Sequence, residues 1–485
     1  MSIKEREDLF TPTQYFYSRA MRRVRTEPRP NFVRLLHSQG LVFNRDPIPA
    51  GQHEHYWPDD RYYAFTGEEI KLLQDAAADV FAMLCEATDY LTERPELIAS
   101  RLAIPEFCLK QIVESWKRTP AFGSVYSRFD ICFGGLDHAD PQLRVPRFYE
   151  INADTPTTLI ESASIQFSWL QQTGHGPDQY NDVEEKLIAA WQRNMAEIER
   201  KLGHRPKVHF ASTRTRDGED EINTEYLAAT CQTAGYETKN TWLDQISLGR
   251  DGRLYDQDGE HIDVVYKLYP WELIIKEKFA QACFSDMENI GRRDASGRYT
   301  GGTIWIEPPY KLLWTSKAMF AILWELFRDD PRGRWLLPTY LEAERPADMV
   351  RYARKPIFAR KGAGVTLQDG DETIIRTGAC GFGDEGYVVQ ELAVLPAFGG
   401  DEDGKARRPS YPVIGLWMID GAPAGMGIRE DVGQVTGDSS SFIPNVIEDA
   451  PEVNYERQPV PTLGEIEAVL SLDTYYESGV LKAAA

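Results

Sequence analysis

Apolar positions recur with a period near 3.6 residues from about Thr66 to Leu91, where Ile70, Leu72, Leu73, Ala77, Val80, Phe81 and Leu84 share one stripe. This spacing predicts an amphipathic helix, and Thr66 with Glu69 supplies a capping box at its start. Residues 1–120 read as mainly helical, interrupted by turns at Glu27–Asn31 and Trp57–Asp60. In the first turn, two prolines push the residues before them out of the α region.

The pattern then changes. Lys207–Ser212, Glu221–Ala234 and Glu237–Leu243 read as strand, helix and strand, a βαβ unit with parallel strands. It carries no GxGxxG loop, so no dinucleotide site is assigned. Asp251-Gly252 and Asp258-Gly259 are hairpin signals, and Asp263–Glu272 is a strand running into an aromatic corner. The polar, glycine-rich residues 286–302 are expected to form a mobile loop. Ala318–Arg328 carries a second helical stripe, with Met319, Phe320, Leu323, Leu326 and Phe327 on one side. From residue 350 the pattern is β. Arg354–Arg360 and Tyr387–Leu392 read as strands, Thr366–Leu367 pairs with Thr373–Arg376 around Asp369-Gly370, and Tyr411–Ile419 pairs with Ala424–Arg429. Lys361–Val365 is a flexible glycine loop, residues 399–410 a charged loop, and the tail from about Asp449 is proline-rich and then helical.

Composition narrows the class. The chain has 485 residues, enough for several domains or one large lobed enzyme. It holds no apolar run of the ~18 residues a membrane span needs, and its first residues lack the apolar core of a secretory signal. The six cysteines are scattered without a CxxC pair, which points to reduced thiols in a cytoplasmic protein and away from zinc. A formal net charge of −21 argues against a nucleic-acid backbone as partner. It suits solubility, and also a cationic ligand such as a polyamine.

The candidate chemistry lies in Arg128-Phe129-Asp130 and in the run from Arg147 to Thr158. Residues two apart on a strand share a face, so Arg128 goes with Asp130, and Glu150 with Asn152. Two carboxylates and an amide oxygen form the hard-oxygen set Mg²⁺ uses when it also binds phosphates, and an arginine beside them offers a fork for phosphate. The alternative from these residues alone is a surface hairpin with ordinary salt bridges. After this strand a helix begins, capped by Thr155 with Pro156 following, or by a box of Thr158 and Glu161. Its free amides would face an anion. Lys317 stands at the start of a helix, where the dipole disfavours a cation unless it faces an anion.

Seven blocks in order resemble the glutathionylspermidine synthase family: SRFDICFGG (127–135), YEINADTPTTLIE (149–161), VYKLYPWE (265–272), EPPYKLLWTSKAMFAILWELF (307–327), RKPIFARKGAGV (354–365), YVVQELA (387–393) and YPVIGLWMIDGAPAGMGIRED (411–431). The resemblance is to its short, single-activity members, described as acid–amine ligases. It implies an α+β, circularly permuted ATP-grasp fold with an inserted βαβ, pre-ATP-grasp-like segment and a helical N-terminal region. The implied divisions are a helical region at 1–125, a first ATP-grasp segment at 126–200, the βαβ domain at 203–300, a second ATP-grasp segment at 305–450 and a tail at 451–485.

The resemblance also assigns roles. Arg128 would stabilise the transferring phosphoryl group, with Phe129 beside it in the nucleotide site. Asp130, Glu150 and Asn152 would bind Mg²⁺. Lys317 and Lys355 would contact ATP, and the loop Lys361, Gly362 to Gly364 would close over its phosphates. Gln390, Glu391 and Leu392 would form the adenine hinge. Arg360 and Arg429 would be basic phosphate and substrate contacts, and Thr155 and Thr157 acyl-substrate contacts. The implied reaction is ATP-dependent amide formation between a small carboxylic acid, with glutathione or a peptide as the model, and an amine such as a polyamine. No amidase activity is expected, because the region before the RFD block has no cysteine in a nucleophile motif. A small-molecule kinase, or a non-catalytic nucleotide- or polyamine-binding protein, would use the same nucleotide site. Neither the acid, the amine nor the oligomeric state is legible.

Overall fold

Five antiparallel strands build the sheet that carries most of the candidate residues, in the spatial order Ser441–Ile443, Ala422–Asp431, Tyr411–Ile419, Tyr126–Cys132, Arg147–Asn152. A computed structural model describes residues 20–44, 55–118, 123–215, 218–399 and 408–480. The hairpin between the two longest strands turns at Asp420-Gly421, both with positive φ (49° and 79°), the backbone that two-residue hairpin turns require. This sheet draws strands from both ends of the chain. The intervening residues form a separate parallel sheet of Ile304–Ile306, Val264–Leu268, Val208–Ser212 and Thr238–Trp242. Three of its strands, Val208–Ser212, Val264–Leu268 and Ile304–Ile306, are buried along their whole length, as expected when helices cover both faces of a parallel sheet.

A third sheet, again antiparallel, has the order Thr339–Leu341, Tyr387–Glu391, Arg351–Pro356, Thr366–Asp369, Glu372–Arg376. The strand expected over Arg354–Arg360 leaves the sheet at Pro356. Proline has no N–H to continue the ladder, and the chain passes into the loop that carries Arg360 and Lys361.

The helix predicted from Thr66 spans Gly67–Thr92, with the Thr66–Glu69 capping box formed. The N-terminal region is less purely helical than expected. Arg22–Arg25 and Arg61–Phe65 pair antiparallel, and Asn445–Ile447 joins them in parallel. Glu430 ties this small sheet to the central one, since Arg23, Arg61 and Tyr63 all donate to its carboxylate. The loop at 286–302 is pinned rather than free: Arg293 donates to the Lys201 carbonyl, and the buried Tyr299 donates to Gly302 O at 2.6 Å. Most of the charged loop expected at 399–410, residues 400–407, lies outside the described residues. No helix among the described residues is long and apolar enough to cross a membrane.

Candidate active site

Pleat alternation sets the site. Along Tyr126–Cys132, Arg128 and Asp130 face a cavity of about 700 Å³ between the central and third sheets. Phe129 faces the other way, is fully buried, and meets Phe148 with ring centroids 6.0 Å apart. Its expected place in the nucleotide site is therefore corrected: the geometry that presents Arg128 and Asp130 removes Phe129 to the core. Every other expected site residue (Arg128, Asp130, Glu150, Asn152, Thr155, Thr157, Lys317, Lys355, Arg360, Lys361, Gly362, Gln390, Glu391, Leu392 and Arg429) lines this cavity.

Cross-strand register places Asp130 opposite Glu150 and Arg128 opposite Asn152. Arg128 forks onto Asp130 (Nε to Oδ1 2.7 Å, Nη2 to Oδ2 3.0 Å), and its Nη1 donates to Thr157 O at 2.6 Å and Thr158 Oγ1 at 3.1 Å. Asn152 Nδ2 donates to Asp130 Oδ2 at 3.0 Å and to Glu150 Oε1 at 3.4 Å. Asp130, Glu150 and Asn152 thus converge on one spot, with no cysteine or histidine among them. Two carboxylates and an amide able to turn its Oδ1 inward are the donor types Mg²⁺ takes together with phosphate oxygens; here Arg128, Asn152 Nδ2 and Lys317 neutralise those carboxylates.

Two lysines cross from other elements. Lys317 Nζ lies 3.1 Å from Glu150 Oε2 and donates to Ala359 O at 2.9 Å. Lys355 Nζ donates to Gln390 Oε1 at 2.7 Å and Tyr149 O at 3.3 Å. Burial opposes the charge on Glu150, yet Lys317 and Lys355 hold its carboxyl down at about 2. Burial brings the Lys355 ammonium down to about 8, against the pull of Glu150 and with the help of Lys317. A polyphosphate would restore the lost solvation charge by charge. With Lys355 on the phosphates, as the family resemblance implies, affinity for Mg-ATP should be flat below neutral pH and fall as pH rises through 8, with proton uptake on binding near that pH. Calorimetry in buffers of different ionisation enthalpy reads the uptake, and Lys355→Arg should abolish it.

Neither expected helix cap forms. The helical turn starts after Thr158, whose own φ is +69°, and Glu161 turns back to Tyr56. Thr155 Oγ1 instead accepts from Arg360 Nη2 at 2.7 Å, while Arg360 Nε donates to Glu272 Oε1 at 3.0 Å. Arg429 is held by Ser440 Oγ and Gly437 O. Lys361 (φ +50°) and Gly362 (φ +70°) take left-handed backbone, and Lys361 lies 3.2 Å from Asp438. Ala353, Val365, Leu367 and Leu392 give one end of the cavity an apolar wall.

Sequence reasoning missed Tyr56, Glu219, Asp220 and Asp438, which also line the cavity. The acidic pair fell just before the helix read at Glu221–Ala234, whose observed start is Glu219, and Tyr56 carried no local signal. Among the described residues, His209, Asp256 and Glu260 also cluster. Lys239 Nζ already sits 2.5 Å from Asp256 and 3.1 Å from Glu260, so a lysine supplies the cation there.

The family model for the glutathionylspermidine synthase preATP-grasp region matches residues 23–448. The chain belongs to that family. A Haemophilus influenzae protein named "Putative acid--amine ligase" is 29% identical over 437 residues, covering 88% of this chain and 99% of that one. Trypanothione synthetase of Crithidia fasciculata is 28% identical over 356 residues, covering 70% of this chain and 49% of its own. The bifunctional glutathionylspermidine synthetase/amidase of Escherichia coli is 25% identical over 431 residues, covering 84% and 61%. The chain thus spans about half to three-fifths of the two named synthetases, and nearly all of the Haemophilus protein.

Proposed function

We propose that this protein is an ATP-dependent ligase that activates a carboxylic acid as an acyl phosphate and passes the acyl group to an amine. The observation that carries this reading is one cavity in which Asp130, Glu150 and Asn152 meet Arg128, from the same strand as Asp130, and Lys317 and Lys355 from separate elements. A carboxylate does not acylate an amine at neutral pH without activation. Phosphoryl transfer asks a protein for positioning and charge neutralisation rather than covalent chemistry, and these residues are equipped for both.

Asp130, Glu150 and Asn152 would hold Mg²⁺, which supplies charge neutralisation to phosphate oxygens when bound. Lys317 and Lys355 orient the phosphates, and Arg128 meets the charge that develops on the moving phosphoryl group. Leu392, with Ala353, Val365 and Leu367, offers the apolar slot for the base. Thr155 and Thr157, on the run that Arg128 and Arg360 hold, would receive the acid. Belonging to this family makes glutathione and peptides the first acids to try and polyamines the first amines. The third sheet and the Lys361–Gly364 loop act in this reading as the nucleotide-binding half of a circularly permuted ATP-grasp fold.

The test is ADP release by purified protein with Mg-ATP against paired carboxylates and amines, glutathione and spermidine among them, followed by mass spectrometry. An amide product is expected. A stable phosphorylated product that persists in the presence of amines would make the protein a kinase and overturn the reading.

A further inference from the structure

An amine arrives at neutral pH as an ammonium, with a pKa near ~10 for an alkyl amine, and must lose a proton to attack an acyl phosphate. Glu219, Asp220 and Asp438 are acids on the lining, but several of the other charged groups cannot take it. Arg128, Arg360 and Arg429 are cations, and Asp130 and Glu150 belong to the metal set. Just behind the wall lies a buried carboxyl group that the reading above does not use. Tyr56 lines the cavity, and its hydroxyl donates to Glu161 Oε1 at 2.6 Å. Glu161 is 1% exposed, and its second oxygen has no hydrogen-bond partner among the described residues.

A buried carboxylate with one oxygen unpartnered is costly unless its charge is used. Local structure makes the site deliberate. Glu161 opens a π-helical turn, Glu161–Ile165, inside an otherwise α-helical run. Such turns give up regular hydrogen bonding to re-aim side chains and gather at functional sites.

We propose that Tyr56 and Glu161 form the outlet for the amine's proton. The amine proton moves to Tyr56 Oη as the phenolic proton moves to Glu161 Oε1. The nitrogen lone pair forms the C–N bond, and the C–O bond to phosphate breaks with its electron pair leaving on phosphate, which takes the second proton the nitrogen must lose to become an amide. Glu161 acts through Tyr56 and is a positioning residue in this sense.

The electrostatics agree. Burial raises the Glu161 carboxyl to about 7, with Tyr56 stabilising its charge, Glu219 opposing it and Arg128 favouring it. Burial and Glu161 keep the Tyr56 phenol well above its ordinary value, with Arg429 countering and Glu219 adding. Asp220, next to Glu219, is itself pushed up to about 6 by burial and that neighbour. A proton acceptor titrating near the working pH is the efficient one.

This inference rests on the ligase reading, and the test separates the two. Hydroxylamine is already neutral at pH 7 and traps an acyl phosphate as a hydroxamate, whereas spermidine must be deprotonated. The ratio of amide to hydroxamate, formed from the acid found by ADP release, should fall about 10²-fold in Tyr56→Phe and Glu161→Gln. The acidic limb of the amide pH profile should disappear in the second. Equal loss of both products, with thermal melts unchanged, would overturn the outlet. Absence of hydroxamate from the unaltered protein with every acid would instead remove the ligase reading. Infrared difference spectra across neutral pH test the acceptor without any substrate: a carboxyl band that titrates near pH 7 should be present and should vanish in Glu161→Gln. If it persists there, Glu161 is not the acceptor.

Discussion

Arg128→Ala should lower kcat roughly 10²–10³-fold, the usual cost of removing one donor aimed at developing charge. The guanidinium is buried and makes hydrogen bonds to Asp130, Thr157 and Thr158 at once. It is therefore held in place before any phosphate arrives. Arg128→Lys keeps the charge and loses the fork, so it should recover only part of the rate. Loss of activity with near-unchanged Mg-ATP affinity would locate the effect in the transition state rather than in binding. ADP release under saturating substrates measures it, and thermal melting controls for the fold. A near-normal ATP-dependent rate in Arg128→Ala would take this residue out of the mechanism.

The largest stability effect is expected at the Lys267–Asp154 pair. Lys267 Nζ donates to Asp154 Oδ1 at 2.6 Å, and both side chains are at most 1% exposed. The other carboxylate oxygen accepts from Trp271 N at 2.6 Å, and the ammonium stands 4.5 Å from the centre of the Trp271 ring. Burial works against both charges, lowering the lysine and raising the aspartate from their ordinary values. Removing one partner alone leaves the other charge stranded, which typically costs about 3–5 kcal/mol.

Lys267→Met should therefore be destabilised by about that amount, read from denaturant unfolding. The sign of its pH dependence follows from Asp154. A carboxyl whose folded value lies above its unfolded value binds protons more tightly when folded. Stability then falls as pH rises from the unfolded value, near 3.8, through the folded one. The variant should suffer less at pH 5 than at pH 8. Lys267→Met combined with Asp154→Asn should recover part of the loss, since it removes the stranded charge and keeps an amide oxygen to accept from Trp271 N. The pair also matters to the site. It anchors the residue next to Thr155 to a strand of the parallel sheet, so activity in the single variant should fall as well.

Legibility varied with the range of the physics involved. Alternation is a property of one strand, so the common face of Arg128 and Asp130, and of Glu150 and Asn152, was readable without a structure. The same rule, applied to Phe129, would have sent it to the core. The capping box at Thr66, the βαβ unit and the hairpins were readable for the same reason, because backbone sterics and side-chain period act over a few residues. Lys317 was read as a helix-start lysine seeking an anion, and it sits 3.1 Å from Glu150.

Other features needed the chain to close on itself. Arg22–Arg25 is a basic segment without alternation that becomes a strand because Arg61–Phe65 lies beside it. Thr155 and Thr158 had the composition of caps, yet their hydroxyls accept from Arg360 and Arg128. A charged guanidinium in a partly buried site is a stronger claim on a hydroxyl than a helix amide.

By itself, then, the sequence determined the periodic elements, the shared faces of the oxygen donors, and family membership through ordered blocks. Only tertiary structure decided which distant groups meet: Tyr56 with Glu161, Lys267 with Asp154, and Lys355 with Gln390. Those pairings depend on how separate sheets enclose one cavity. Burial then sets which charges are affordable, and no local pattern encodes it.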